Sequence, residues 1–458
     1  MKKEEIELTF SETEDQLVQF LNEFLRFPTI GVQPEHAEDC RACAEWLCKR
    51  LQEIGLTTSL LETSGHPVAC GTFKGEPDRP HVIFYGHYDV QPADPLEEWH
   101  SDPFEPIQRG DRIYARGAHD DKGQVTAFIH AVGAMIAAEK LKCSLTILLE
   151  GEEESGSGGL QTSLPEWKEW LQADVLMAMD TSLASEEVPA VVVGLRGLIA
   201  FEVNLGGLKR DLHSGVHGGI VKNPATELAK LLARLFNADG SIAVPGFYAD
   251  VEEPTQELLD MIAKSPFDAE EYQKETGLPP LGGELRFPPK VRNGVRPSLD
   301  IVGISAGYQG EGIKTIIPAA AKAKLSARLV PQQDPAAVFS CIEKYLKDHT
   351  PEGFTLSVKQ FEHGSKAVQC LQDAKVVQDA WEILEEIFGR EPVAEWEGAS
   401  IPIITDLVQT TGAVPLLVGF GLEEDNIHAP NESFSLRQLR WGFEYSVRIL
   451  SRFSEPTV

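Results

Sequence analysis

The chain has 458 residues, 42% hydrophobic and 24% charged, the proportions of a globular protein rather than a disordered or fibrous one. Its 71 acidic against 41 basic residues give a formal charge of -30, a surface that repels phosphate backbones and anionic membranes and so argues against nucleic acid or membrane as partners. At this length one core is not expected, and two or three domains are.

The start, Met1-Lys2-Lys3-Glu4-Glu5-Ile6-Glu7, lacks the apolar core of a secretory signal, and no apolar run approaches a membrane-spanning length, so a cytoplasmic protein is expected. Seven scattered cysteines fit reduced thiols. Cys40, Cys43 and Cys48 fall in a helical pattern, which points to packing rather than zinc.

A capping box at Ser11 and Glu14 followed by Leu17, Phe20, Leu21, Phe24 and Leu25 at helical spacing predicts a first amphipathic helix. A second runs from about Ala37 to Ile54, stopped by Gly55. Buried strands are predicted at His81 to Tyr85, Ser144 to Leu149 and Val175 to Met179, with a helix after Gly123 between the first two. From Phe201 to Leu205 and from Lys322 to Arg328 the apolar residues alternate, as in a sheet with one solvated face. Helices at about Ala225 to Phe236 and Ala336 to Asp348 and a strand at Thr355 to Val358 complete that style, while Gly277 to Pro297 reads as an irregular excursion. The earlier style then returns: a helix at Lys375 to Phe388, a strand at Val414 to Val418, and a helix at Ser435 to Ile449 with Gln438 closing a capping box. The fold expected is α/β: residues 1–195 and 363–458 form one layered domain, interrupted by an α+β insertion at 196–362.

Four acidic or histidine clusters follow apolar strand-like runs: His87-Tyr88-Asp89, His119-Asp120-Asp121, Glu152-Glu153-Glu154 with Asp180 downstream, and His428. Open α/β sheets gather functional groups at strand carboxyl ends, so the clusters read together as one two-metal hydrolase site. Each cluster alone has a plain structural reading. His87 could be a hydrogen-bonded strand end, Asp120 or Asp121 a helix N-cap, and Glu152 to Glu154 an exposed acidic loop. Asp89, two residues from His87, is placed to fix its imidazole tautomer. Mixed imidazole and carboxylate donors leave the metal open, with zinc first and manganese or cobalt as alternatives.

Taken in order, Gly86-His87-Tyr88-Asp89-Val90-Gln91-Pro92, Arg116 to Gly123, Glu152 to Ser157, Asp211-Leu212-His213-Ser214-Gly215, Arg328-Leu329-Val330-Pro331 and His428-Ala429-Pro430-Asn431-Glu432 resemble one family over nearly the whole chain. It is the metallopeptidases that include glutamate carboxypeptidase, aminoacylase, acetylornithine deacetylase and the cytosolic dipeptidases. The resemblance implies a zinc-peptidase-like three-layer catalytic domain with an inserted lid or dimerisation domain, and a homodimer. It implies that His87, Asp120 and Asp180 bind one ion, that Asp120, Glu154 and His428 bind the other, and that Asp120 bridges. Glu153 matches the general base that takes a proton from the metal-bridging water, and Asp89 the acid that orients His87. The alternative register, Glu152 with Glu153, is disfavoured by Ser155-Gly156-Ser157.

His213 matches a residue that contacts the reacting carbonyl, often from the partner subunit, and Arg328 one that grips the substrate carboxylate. Thr315 and Ser400 match further substrate-contacting positions. Without the family pattern, Arg328 reads as a surface ion pair and His213 as a loop hydrogen bond. His119 and His217 depart from the family's usual residues, and His36, His66, His81, His100, His130, His349 and His363 match no motif. The wording from Gly86 to Pro92 and the Pro-rich excursion look most like the dipeptidase branch, so the expected reaction is cleavage of dipeptides or small peptides with a free carboxylate. The rivals are an N-acyl-amino-acid deacylase with the same metals and, from another class, a non-catalytic metal-dependent binding protein.

Overall fold

The computed structural model describes residues 3–361, 364–370, 373–398 and 401–455. The chain divides into two compact units, one built from Met1–Val193, Cys370–Glu395 and Ile403–Val458, the other from Gly194–Gln369 and Trp396–Pro402. Of the four breaks, two fall inside strands, Ala190–Leu195 and Val393–Glu397, and one follows the strand Val368–Gln369, so the unit boundaries at 194 and 369 lie near the changes in sequence style at 196 and 362 without coinciding with them. Trp396 belongs to the second unit for a steric reason. Its ring lies where a Cβ on Gly194 would stand, and its own Cβ lies 2.6 Å from where one on Gly294 would.

In the first unit a mixed sheet holds four neighbouring parallel strands in the order Ser144–Glu150, His81–His87, Val175–Ala178 and Val414–Leu417. The first two are buried at nearly every position, as strands covered on both faces must be. Val68–Phe73 and Thr57–Leu61 extend the sheet antiparallel beside Ser144–Glu150. Helix Lys122–Ala137 packs against Leu436–Phe453 and Lys3–Leu25, and Ala37–Glu53 against Thr57–Leu61 and Val68–Phe73. Close approach of two helices is allowed at Gly442, where a Cβ would stand 3.0 Å from that of Ala127.

The first helix starts eight residues before the expected cap, at Lys3. Ser11 lies inside it and donates its hydroxyl back to the Glu7 carbonyl at 2.9 Å. Burial of Ile6 and Phe10 on the same face as Leu17 and Leu21 explains the extension. At the C-terminal helix the capping box is formed by both halves, Ser435 and Gln438. The Pro-rich excursion is less irregular than expected, since Pro289–Gly294 is helical.

The second unit is an antiparallel sheet in the order Ser298–Ala306, Ala320–Leu329, Gly197–Gly206, Thr355–Gln360. Alternate residues Ile199, Phe201, Val203 and Leu205 enter a core shared with Leu228 and Leu231 of helix Pro224–Ala233 and Ile342 of Pro335–Asp348. No helix among the described residues is long and apolar enough to cross a membrane.

Candidate metal centre

Parallel pairing puts the carboxyl ends of the four strands of the first unit at one edge. His87 is the last residue of its strand and stands opposite Glu150, which leads into Glu153 and Glu154. Asp180 follows the strand that ends at Ala178, paired to Tyr85. His428 reaches the same place by a different device. The strand Ser433–Ser435 pairs with Arg112–Tyr114, which draws the loop before it against the turn that carries Asp120. His428 holds a left-handed backbone, φ 58°, and its side chain is 51% exposed.

Asp120 divides its carboxylate between two imidazoles: Oδ1 lies 3.0 Å from His87 Nε2 and Oδ2 lies 2.9 Å from His428 Nε2. Around these atoms, Asp180 Oδ2 is 3.7 Å from His87 Nε2 and Glu154 Oε1 is 3.2 Å from His428 Nε2. Donor atoms cluster within 4.8 Å of one another in two sets, Asp120 with Glu154 and His428, and His87 with Asp121 and Asp180. In the sequence Asp121 had only the structural reading of a helix N-cap. As an N-cap it makes no side-chain bond to its helix. Instead its Oδ2 accepts the His87 N–H at 3.4 Å, and its buried Oδ1 has no partner among the described residues.

The chemistry of the donors fits a pair of divalent ions. Burial, helped by the charges of Asp120 and Asp121, pushes Asp180 well above the usual carboxylate range. Burial does the same to Glu153 against the pull of the nearby His87, and it raises Asp121 to about 8. Asp120 goes the other way despite burial, because hydrogen bonds from His428 and His87 hold it low. Hydrogen bonds to Asp120 and Glu154 raise His428 to about 10. Five carboxylates crowded in one place need either protons or cations, and an orphaned carboxylate oxygen with imidazole nitrogens beside it suits the latter.

The supporting residues explain why the donors converge. Asp89, fully buried, accepts the N–H of Glu153 at 3.2 Å and of Glu154 at 3.1 Å, and its Oδ1 lies 3.4 Å from His87 Nδ1. Gln91 donates to Glu154 Oε2 at 2.7 Å, which leaves Oε1 to face His428. Glu152 points elsewhere, accepting the Gly159 N–H at 3.1 Å. Glu432 grips the Asp120 turn: Oε2 accepts from Arg116 at 2.8 Å and the Gly117 N–H at 2.9 Å, and Oε1 from the N–H groups of His119 and Asp120 at 2.9 and 3.1 Å. Lys122 is fully buried, donating to the carbonyls of Phe24 and Phe27. His119 turns from the donors, with Nδ1 3.1 Å from Asp425 Oδ2 and its ring near Phe434. Sequence reading missed the roles of Glu432, Gln91 and Lys122; the signal available was a charged or amide residue inside an otherwise apolar or turn-forming motif.

The other candidates lie in the second unit. His213 and Thr315 are brought together, since Leu212–His213 pairs with Ile316–Ile317 and the Ser214 N–H donates to the Thr315 carbonyl at 3.0 Å. His213 Nδ1 accepts the Gly215 N–H at 3.0 Å, which is a loop hydrogen bond. Arg328 lies on the strand Ala320–Leu329 opposite Ser298. His217 ends a short exposed helix, Ser214–His217. Ser400 and His363 fall outside the described residues.

Comparison with known proteins places the whole chain. The chain is 27% identical to the Beta-Ala-His dipeptidase of Rattus norvegicus over 465 residues, spanning 96% of this chain and 92% of that protein. It is 29% identical to the Cys-Gly metallodipeptidase dug1 of Schizosaccharomyces pombe, spanning 81% and 79%. Its fold superposes on the crystal structure of the M20 family metallo-carboxypeptidase Sso-CP2 from Sulfolobus solfataricus with a TM-score of 0.86 and 31% identity, covering 96% and 99% of the two chains. Residues 83–452, which include every donor of both clusters, match the profile of Peptidase family M20/M25/M40, and the chain belongs to that family.

Proposed function

We propose that this protein hydrolyses the peptide bond of dipeptides and small peptides that carry a free carboxylate. Two divalent ions, zinc in the first instance, are held by His87, Asp120 and Asp180 and by Asp120, Glu154 and His428. The observation that carries this reading is the Asp120 carboxylate, one oxygen against each imidazole. The dipeptidase names of the rat and Schizosaccharomyces pombe relatives support the substrate class. Bound ions would polarise the scissile carbonyl and make a water acidic at neutral pH.

The protein's own groups do the rest. Asp89 fixes the turn that aims Glu153, and burial keeps the Glu153 carboxyl basic enough to accept a proton from the attacking water. The water oxygen bonds to the carbonyl carbon, the C–N bond breaks, and Glu153 returns the proton to the leaving nitrogen. Arg328 takes the substrate carboxylate, and His213, Thr315 and Ser400 are further substrate contacts, His213 from a partner subunit. The protein acts as a homodimer in the cytoplasm.

The test is a panel of dipeptides, dipeptide amides and acetylated amino acids with the metal-loaded protein. Dipeptides with a free carboxylate are expected to be preferred, and Glu153→Gln to lose about 100-fold or more of turnover with its metal content intact. A preference for acetylated amino acids would turn the reading to a deacylase, and a fully active Glu153→Gln would remove Glu153 as the base.

A further inference from the structure

Arg196 sits just before the strand Gly197–Gly206, and its guanidinium ties together segments far apart in sequence. Nε donates to the Gly398 carbonyl at 3.0 Å, one terminal nitrogen reaches Asn293 Oδ1 at 3.2 Å, and the other reaches the Arg296 carbonyl and Ser298 Oγ, both at 3.4 Å. Ser298 is the residue directly opposite Arg328 in the antiparallel pair, so the two side chains share a face. Arg196 therefore places its charge next to that of Arg328, and the two repel. Asp300, whose Oδ2 accepts from Ser298 Oγ at 3.3 Å, attracts both.

The segment that Arg196 grips is built for close approach. A Cβ on Gly398 would stand 2.2 Å from the Asn293 side chain, and the Trp396 ring lies across Gly194. Arg196 itself is buried, 8% exposed. A fork of donors held this way cannot swing out to the solvent, so its charge is a fixed feature of the sheet face that bears Arg328.

We infer that Arg196 is a positioning residue for recognition of the substrate's free carboxylate: it anchors the Gly398 turn and, by standing beside Arg328, makes an anion the favoured companion of that guanidinium. The inference rests on the reading of Arg328 as the carboxylate contact. An amide in place of the carboxylate has no charge to offer the pair, so the two substrates separate this role from general support of the fold. Lysine at 196 keeps the charge but cannot span Gly398, Asn293 and Ser298 at once.

The experiment compares a dipeptide with its C-terminal amide on the metal-loaded full chain, for the wild type, Arg196→Met, Arg196→Lys and Arg328→Met, with thermal unfolding and metal content as controls. Arg196→Met is expected to lower kcat/KM for the free acid about 30-fold, mainly through KM, and that for the amide less than about threefold. Arg196→Lys is expected to recover part of the loss, and it carries the test alone if Arg196→Met does not fold. Equal losses on acid and amide, or no loss on either, would overturn the inference. If the wild type does not distinguish acid from amide, or Arg328→Met keeps the distinction, the carboxylate reading of Arg328 itself falls, and this inference with it.

Discussion

Both oxygens of Asp89 accept backbone N–H groups from the turn that carries Glu153 and Glu154, and the same carboxylate stands beside Nδ1 of His87. His87 Nδ1 lies 3.1 Å from the Asp89 backbone carbonyl, so with Nδ1–H donated there and the carboxylate beside it, Nε2 keeps its lone pair for a cation. Asp89→Ala should therefore do two things at once. It leaves two N–H groups without an acceptor, at a cost of about 2–4 kcal/mol, and it lowers metal affinity about 10–100-fold. Chelator competition and thermal unfolding measure the two effects; unchanged affinity would leave the orienting of His87 to the Asp89 backbone carbonyl and remove the carboxylate from it. Residues such as His87, Asp120 and Glu154 were legible only as a set, because each cluster alone has a plain structural reading while several together, in the order of one family, do not. Glu432 was not, although it makes four hydrogen bonds to the Asp120 turn, because nothing in a sequence tells which backbone a buried carboxylate will meet. His119 looked anomalous beside Asp120 and proved to belong to Asp425, a partner 306 residues away by number.

At the scale of elements, helix Lys122–Ala137 is buried along most of its length, so even its polar residues must be satisfied inside the protein. His130 is one of them: Nε2 lies 2.8 Å from Thr13 Oγ1, and its ring packs near Phe443. Burial holds this imidazole down at about 4, against an ordinary value of 6.5. Between those pH values the unfolded chain takes up a proton that the folded one refuses. The contribution is thus complete above about pH 6.5 and is lost as the pH falls toward about 4, roughly 3 kcal/mol at most. His130→Gln should flatten the loss of stability between pH 7 and pH 4.5, read as the shift in denaturation midpoint; an identical slope would show that His130 is not the sensor. Strand and helix positions were legible because the apolar pattern is local. The early start of the first helix was not, since Ser11 and Glu14 spell a cap and only burial of Ile6 and Phe10 overrides it. Nor was the strand order, because four parallel strands give no sign in sequence of which is neighbour to which.

At the scale of the molecule, the second unit leaves two large apolar side chains in the open on an edge strand. Strand Ser298–Ala306 is the last of its sheet, and Val302 and Ile304 on it are 64% and 62% exposed. Exposed apolar residues on an edge strand invite contact with another chain, and the proposed homodimer can be tested there. Sedimentation should give a dimer for the wild type and a monomer for Val302→Lys with Ile304→Lys; a wild-type monomer at full activity would exclude the dimer as a requirement. The alternation of Phe201 to Leu205 made an inserted sheet legible, whereas the return of Trp396–Pro402 to the second unit depends on the glycines at 194 and 294, whose absent side chains carry no pattern. The first unit is assembled from three stretches of chain, with the whole of Gly194–Gln369 made between Asp180 and His428. During synthesis His87, Asp121 and Asp180 leave the ribosome before the second unit does, whereas Asp120 and Glu154 wait for the imidazole of His428, which emerges only after the entire second unit. The nascent chain would therefore hold one donor set whole and the other short of its imidazole, and the two halves of the centre are completed at different moments of translation.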